Sequence, residues 1–161
     1  MIPDDLVDEA EALLAACRAR NVRLATAESC TGGLIAATLT AIAGASDVVD
    51  RGFVTYSNEA KHELIGVPMG LIQTDGAISE AVARAMAEGA LARSRATIAV
   101  SVTGVAGPGG GTVEKPVGLL WFGLAKRGQP VISEQRMLRG DRTGIRAAAV
   151  RHAFAMIRAQ V

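Results

Sequence analysis

A chain of 161 residues, half of them hydrophobic and 20% charged, is long enough to bury a sizeable core and too apolar to stay disordered. A net charge of +1 removes the electrostatic footprint of a nucleic-acid binder, and one Trp, one Tyr and three Phe leave few rings for base stacking. No stretch approaches the roughly 18 uninterrupted apolar residues of a membrane span, and the N-terminus lacks the basic start and apolar run of a signal peptide. Cys17 and Cys30 have neither metal-ligand spacing nor a disulfide framework. A single cytoplasmic, reduced domain over residues 1–161 is expected, with no nucleic-acid partner and no membrane contact.

In chain order, Pro3 opens a helix whose first turn carries Asp4, Asp5, Asp8 and Glu9 near its positive end. Leu6, Ala10, Leu13, Leu14 and Cys17 recur at helical spacing, which makes Cys17 a core residue. Arg23 to Ala27 reads as a strand, and Glu28-Ser29-Cys30-Thr31-Gly32-Gly33 as a tight turn into a helix over Leu34 to Ile42. Asp50 to Ser57 reads as a second strand, followed by a short helix from Glu59 to Ile65 capped by Ser57 or Asn58. Gly66, Pro68 and Gly70 punctuate the next stretch. Ser79 caps a helix carrying Val82, Ala85, Met86 and Gly89 on one face. The apolar run Thr97 to Val102 reads as a strand buried on both faces, and it ends in the glycine-rich segment Thr103 to Gly111. Strands over Val117 to Ala125 and Val131 to Leu138 are joined closely enough to form an antiparallel hairpin. Asp141 or Thr143 starts the last helix.

Strands that alternate with helices and then close on a hairpin predict an α/β fold: three α/β/α layers around a mixed, partly parallel sheet. In such sheets ligands gather outside the carboxyl ends of the strands, which brings the Ser29 turn and the Gly104 loop together.

A serine at a strand-to-helix turn sits beside unpaired N–H donors that suit a phosphate or a developing oxyanion, although the same residue can simply cap the helix. To attack a carbonyl, Ser29 needs a base. His152 falls on the apolar face of the last helix and His62 adjoins Lys61 on a solvated face, so neither histidine is a strong candidate. Lys61 is the better one, because burial disfavours the charged ammonium and a neutral lysine can take the serine proton. Tyr56, five residues earlier, could relay or orient that proton, or simply be a strand aromatic. Cys30 is a rival nucleophile, since a thiol at a helix N-terminus can be partly ionised. The Thr103–Gly111 loop offers backbone donors without a dinucleotide or P-loop motif. Arg142, at a helix start where it opposes the dipole, could share a phosphate with the helix N–H groups.

Taken together these segments resemble the CinA C-terminal domain family, whose stand-alone members act as nicotinamide-nucleotide amidases. The resemblance rests on Thr26-Ala27-Glu28-Ser29-Cys30-Thr31-Gly32-Gly33, Val54-Thr55-Tyr56-Ser57-Asn58-Glu59-Ala60-Lys61, Thr103-Gly104-Val105-Ala106-Gly107-Pro108, Lys115-Pro116-Val117-Gly118 and Gly140-Asp141-Arg142, which occur in family order. It implies hydrolysis of the carboxamide of nicotinamide mononucleotide, with Ser29 as nucleophile, Lys61 as base, Tyr56 as its partner, and no metal or cofactor. Glu28, Cys30, Thr31, Gly32, Gly33, Asn58, Thr103, Gly104, Ala106, Gly107, Pro108 and Arg142 are then expected to bind substrate, with Thr31 also free to cap the helix. The resemblance leans toward a homodimer. The chain departs from the family pattern at Arg51, Gly109 and Leu138, where glycine, aspartate and an aromatic are usual, and any activity of the large N-terminal domain of full-length relatives is expected to be absent. Two alternatives stay open: an amidase that uses Cys30, and a nucleotide-binding or competence-related module without catalysis.

Overall fold

The computed structural model describes residues 1–161. In chain order the elements are α1 (Asp4–Ala19), β1 (Leu24–Glu28), α2 (Leu34–Thr40), a 3₁₀ turn (Ala45–Asp47), β2 (Val49–Val54), α3 (Asn58–Ile65), α4 (Met69–Asp75), α5 (Glu80–Ala92), β3 (Ile98–Gly104), β4 (Leu119–Lys126), β5 (Ile132–Met137) and α6 (Arg142–Arg158). The strands form one sheet in the order β2-β1-β3-β4-β5. β1 runs parallel to β2 and β3, and β4 runs antiparallel to both β3 and β5. The expected mixed sheet with its late hairpin is therefore present.

Alternation along the buried strands divides the core. Leu24, Ile98, Val100, Val102, Leu120, Phe122 and Leu124 face α1, α2 and α6, where they form a cluster of 25 buried residues. Ala25, Ala27 and Ala99 face the opposite layer, with Ile65 of α3, Ile72 of α4 and Val82 and Met86 of α5. The difference in side-chain size sets how close each layer can come. Gly123 pairs with Ser101, and a methyl group on Gly123 would stand 2.4 Å from the Ala83 carbonyl oxygen. The Ser101 hydroxyl donates to that same oxygen at 2.6 Å. α5 thus rests almost on the sheet backbone, while the larger aliphatic residues stand between the sheet and α1, α2 and α6. No helix is long and apolar enough to cross a membrane.

Two expectations needed correction. β2 ends at Val54 and not at Ser57, because the carbonyl groups of residues 55–57 turn away from the sheet ladder toward the Lys61 side chain. The segment punctuated by Pro68 and Gly70 contains a helix, α4. Pro68 stands just before its first residue, where its missing N–H costs nothing, and a side chain at Gly70 would meet open space.

Candidate active site

Because β1 and β3 are parallel neighbours, their carboxyl ends open on one edge of the sheet. Ser29 extends the ladder one residue past β1, its N–H donating to the Val102 carbonyl at 3.0 Å. Gly32 and Gly33 then take φ values of +57° and +98°, a left-handed pair that turns the chain from strand to helix within a few residues. Glu28 locks this turn from beneath. Its fully buried carboxylate accepts the N–H groups of Ile35 at 2.8 Å and Ala36 at 3.0 Å, and the Thr26 hydroxyl at 3.3 Å. These are the first-turn donors of α2, which otherwise has no side-chain cap.

The second half of the site comes from α3. Ser57 caps it through the Ala60 N–H, and Gly66 at φ +67° ends it. Lys61 points inward and is 1% exposed. Its Nζ lies 3.0 Å from Ser29 Oγ, 2.8 Å from the Thr55 carbonyl and 3.3 Å from the Tyr56 carbonyl, with the Ser57 carbonyl at 3.5 Å. Burial holds its pKa below the usual 10.5 by penalising the ammonium, and the Cys30 sulfur opposes that shift.

These groups open into a cavity of about 280 Å³. Ser29, Cys30, Tyr56, Asn58 and Lys61 line one side, and Thr103, Gly104, Val105, Ala106, Gly107, Gly109 and Gly110 the other. Arg142, the first residue of α6, closes the mouth. Its Nη1 donates to the Gly107 carbonyl at 2.8 Å and its Nη2 to the Tyr56 hydroxyl at 3.2 Å. No carboxylate lines this space, so its only formal charges are cationic. The main-chain N–H groups of Ala106 and Gly107, two of the lining residues, have no acceptor within the protein.

Several expected site residues lie elsewhere. Glu28 is a buried helix anchor, Thr31, Gly32 and Gly33 form the turn behind the cavity, and Pro108 lines a neighbouring recess with Val117 and Asp141. Thr31 does not cap α2: its hydroxyl is buried without a partner, and its carbonyl accepts from Leu34 N–H and from Arg146 Nη2 at 2.8 Å. Thr103 spends its hydroxyl on the Ala77 carbonyl at 2.8 Å. Cys30 reaches the cavity, but burial pushes its thiol up to about 11, the reverse of the expected ionisation. The Tyr56 hydroxyl is bonded to Arg142 and to neither Ser29 nor Lys61.

Ala77 and Ile78 were not anticipated. They give the cavity an apolar wall from the loop between α4 and α5. The Lys115 ammonium, donating to the Asp75 carbonyl at 2.9 Å, ties the connection between β3 and β4 to the end of α4.

A family model described as the CinA C-terminal domain matches residues 7–161. A competence-damage inducible protein of Symbiobacterium thermophilum is 54% identical over 147 residues, covering 86% of this chain but only 34% of the relative. The nicotinamide-nucleotide amidohydrolase PncC of Enterobacter agglomerans is 51% identical over 135 residues, covering 84% of this chain and 82% of that protein. Among solved structures, the competence/damage inducible protein CihA of Agrobacterium tumefaciens superposes with a TM-score of 0.94 at 49% identity, over 99% of this chain and 97% of that one.

Proposed function

The chain belongs to the CinA C-terminal domain family, and from that premise we propose that residues 1–161 form an amidase domain that converts nicotinamide mononucleotide and water to nicotinate mononucleotide and ammonia. The observation that carries the proposal is the buried contact between Lys61 Nζ and Ser29 Oγ at 3.0 Å. A neutral lysine amine has two N–H donors and one lone pair. With the carbonyls of Thr55 and Tyr56 accepting the two donors, the lone pair is left facing the serine hydroxyl. Burial favours this uncharged form.

In the proposed sequence, Lys61 takes the Ser29 proton as Oγ bonds to the carboxamide carbon. The resulting oxyanion would be held by the unpaired N–H groups of Ala106 and Gly107. Lys61 returns the proton to the amide nitrogen, the C–N bond breaks, and ammonia leaves a serine ester. Water then gives a proton to Lys61, its oxygen attacks the ester, and Ser29 recovers the proton as the acid departs. Proton transfer by a positioned base contributes on the order of 10²- to 10⁴-fold, and each oxyanion donor on the order of 10²- to 10³-fold. The pyridine ring would lie against Ala77 and Ile78, with the phosphate at Arg142. The family resemblance leans toward a homodimer, and a monomer by light scattering at working concentration refutes it.

Ammonia release by wild type, Ser29→Ala, Lys61→Ala and Cys30→Ala tests the chemistry. Only the wild type and Cys30→Ala should turn over. Activity in Ser29→Ala, or its loss in Cys30→Ala with the fold intact, refutes the serine mechanism. Calorimetric binding of the mononucleotide with no ammonia released over hours favours a non-catalytic binding module instead.

A further inference from the structure

Tyr56 stands where β2 has ended, and its two polar groups face different partners. Its carbonyl lies on Lys61 Nζ at 3.3 Å, while its phenolic oxygen accepts from Arg142 Nη2 at 3.2 Å, the only hydrogen bond the hydroxyl makes. Lys61 Nζ already has Ser29 Oγ and the carbonyls of residues 55–57 around it, which leaves no position for a phenol. Arg142 is held on its other side by the Gly107 carbonyl at 2.8 Å. The guanidinium is therefore fastened between the end of β2 and the glycine-rich loop, with about three of its five N–H donors still free. It caps a cavity that contains no carboxylate. A long side chain held in one orientation before a ligand arrives loses less freedom on binding, and a guanidinium fork matches the oxygens of a phosphate.

We propose that Tyr56 is a positioning residue for Arg142, not a proton carrier between Ser29 and Lys61, and that this pair makes the cavity mouth select carboxamides bearing a phosphate monoester. The proposal rests on reading the cavity as the amidase site, and it assigns Tyr56 to substrate choice within that site. The phenol accepts one N–H from Arg142, so removing the hydroxyl loosens the fork and leaves the base untouched.

The test uses the full chain with nicotinamide mononucleotide and nicotinamide riboside, which differ by the phosphate. Calorimetric Kd values measured in a Ser29→Ala background give their affinity ratio without turnover. Tyr56→Phe is expected to narrow that ratio about 2- to 10-fold and Arg142→Ala about 10-fold or more, and adding Tyr56→Phe to Arg142→Ala should produce no further change. The Tyr56 side chain is 61% exposed, so phenylalanine disturbs no packing. In the chain that retains Ser29, Tyr56→Phe should act mainly by raising KM for the mononucleotide, with the rise of kcat with pH still present. An unchanged affinity ratio, no measurable binding of the mononucleotide, a kcat loss of 10²-fold or more equal for both ligands, or disappearance of the pH-dependent rise overturns the proposal. A wild-type protein that releases no ammonia refutes the amidase reading, while the affinity ratio still decides the role of Tyr56.

Discussion

Replacing Lys61 with methionine keeps an unbranched side chain in a fully buried slot and deletes the amine, so it separates packing from proton transfer. The rate consequence follows from the 3.0 Å contact with Ser29 Oγ. Without a base the serine stays protonated, and kcat should fall on the order of 10²- to 10⁴-fold. The stability consequence has two parts of opposite sign. The Thr55 carbonyl, on a residue with no exposed surface, loses its donor, which costs about 1–3 kcal/mol. Against this, a group that resists protonation in the fold is removed. Burial lowers the folded pKa of Lys61 below 10.5, so the unfolded chain binds the proton over a pH range in which the folded protein does not. Wild-type stability therefore rises with pH from the folded value up to 10.5, at no more than about 1.4 kcal/mol per pH unit, and is flat below that window. The methionine variant lacks this rise, so it compares best with wild type at low pH and worst at high pH. Ammonia release and urea unfolding from pH 6 to 10 measure both effects. The wild-type rate should rise with pH along a limb that the variant lacks. A variant with more than a tenth of wild-type kcat, a limb that survives in it, or a stability difference that does not change with pH refutes the reasoning.

Glu28→Ala leaves the buried Ile35 N–H and the part-buried Ala36 N–H without their acceptor, and urea unfolding should show a loss of about 2–4 kcal/mol, while Glu28→Gln, which keeps one oxygen acceptor, should lose less. Both thiols are pushed up to about 11 by burial, so native protein at pH 7.5 should react with a disulfide reagent far more slowly than free cysteine and quickly once unfolded; fast native labelling of Cys30 refutes the assignment. His152 packs edge-on against Phe122 with ring centroids 4.6 Å apart, and burial, aided by Arg136 and opposed by Glu134, lowers its pKa from 6.5. Below pH 6.5 the unfolded chain binds this proton first, so thermal midpoints should drop as pH falls toward the folded value, and the drop should shrink in His152→Gln.

The fold was legible where residue pattern and tertiary demand agree. Leu6, Ala10, Leu13, Leu14 and Cys17 form a buried stripe at the expected spacing, and Ser79 caps α5 through the Val82 N–H at 3.3 Å. α4 escaped because Pro68 and Gly70 read as breakers, although one precedes the helix and the other sits on its open side. In the site, the strand-turn-helix around Ser29 and the short helix carrying Lys61 could be read along the chain, but their contact spans 32 residues and depends on how β2 lies beside β1. Glu28 was expected in the site only because it lies in the motif that carries the family resemblance, and the tight Gly32–Gly33 turn instead brings it back onto the α2 N–H groups. Ala77 and Ile78 carry no reactive group, so nothing in their residue types marked them. Their place follows from α4 and α5 bringing their loop over the sheet edge.

The sheet order has one more consequence. Ser29 follows a strand paired on both sides, whereas Lys61 hangs from α3 beyond β2, a border strand with β1 as its single neighbour. The two halves of the reactive pair thus belong to regions of unequal tenacity. A fluctuation that frees β2 and α3 parts amine from hydroxyl while β1, β3 and β4 remain joined. Such partial openings lie well below global unfolding in free energy. Amide hydrogens from Val49 to Ile65 should exchange sooner than those of β3, and turnover should fade at lower urea than the signal of the central strands.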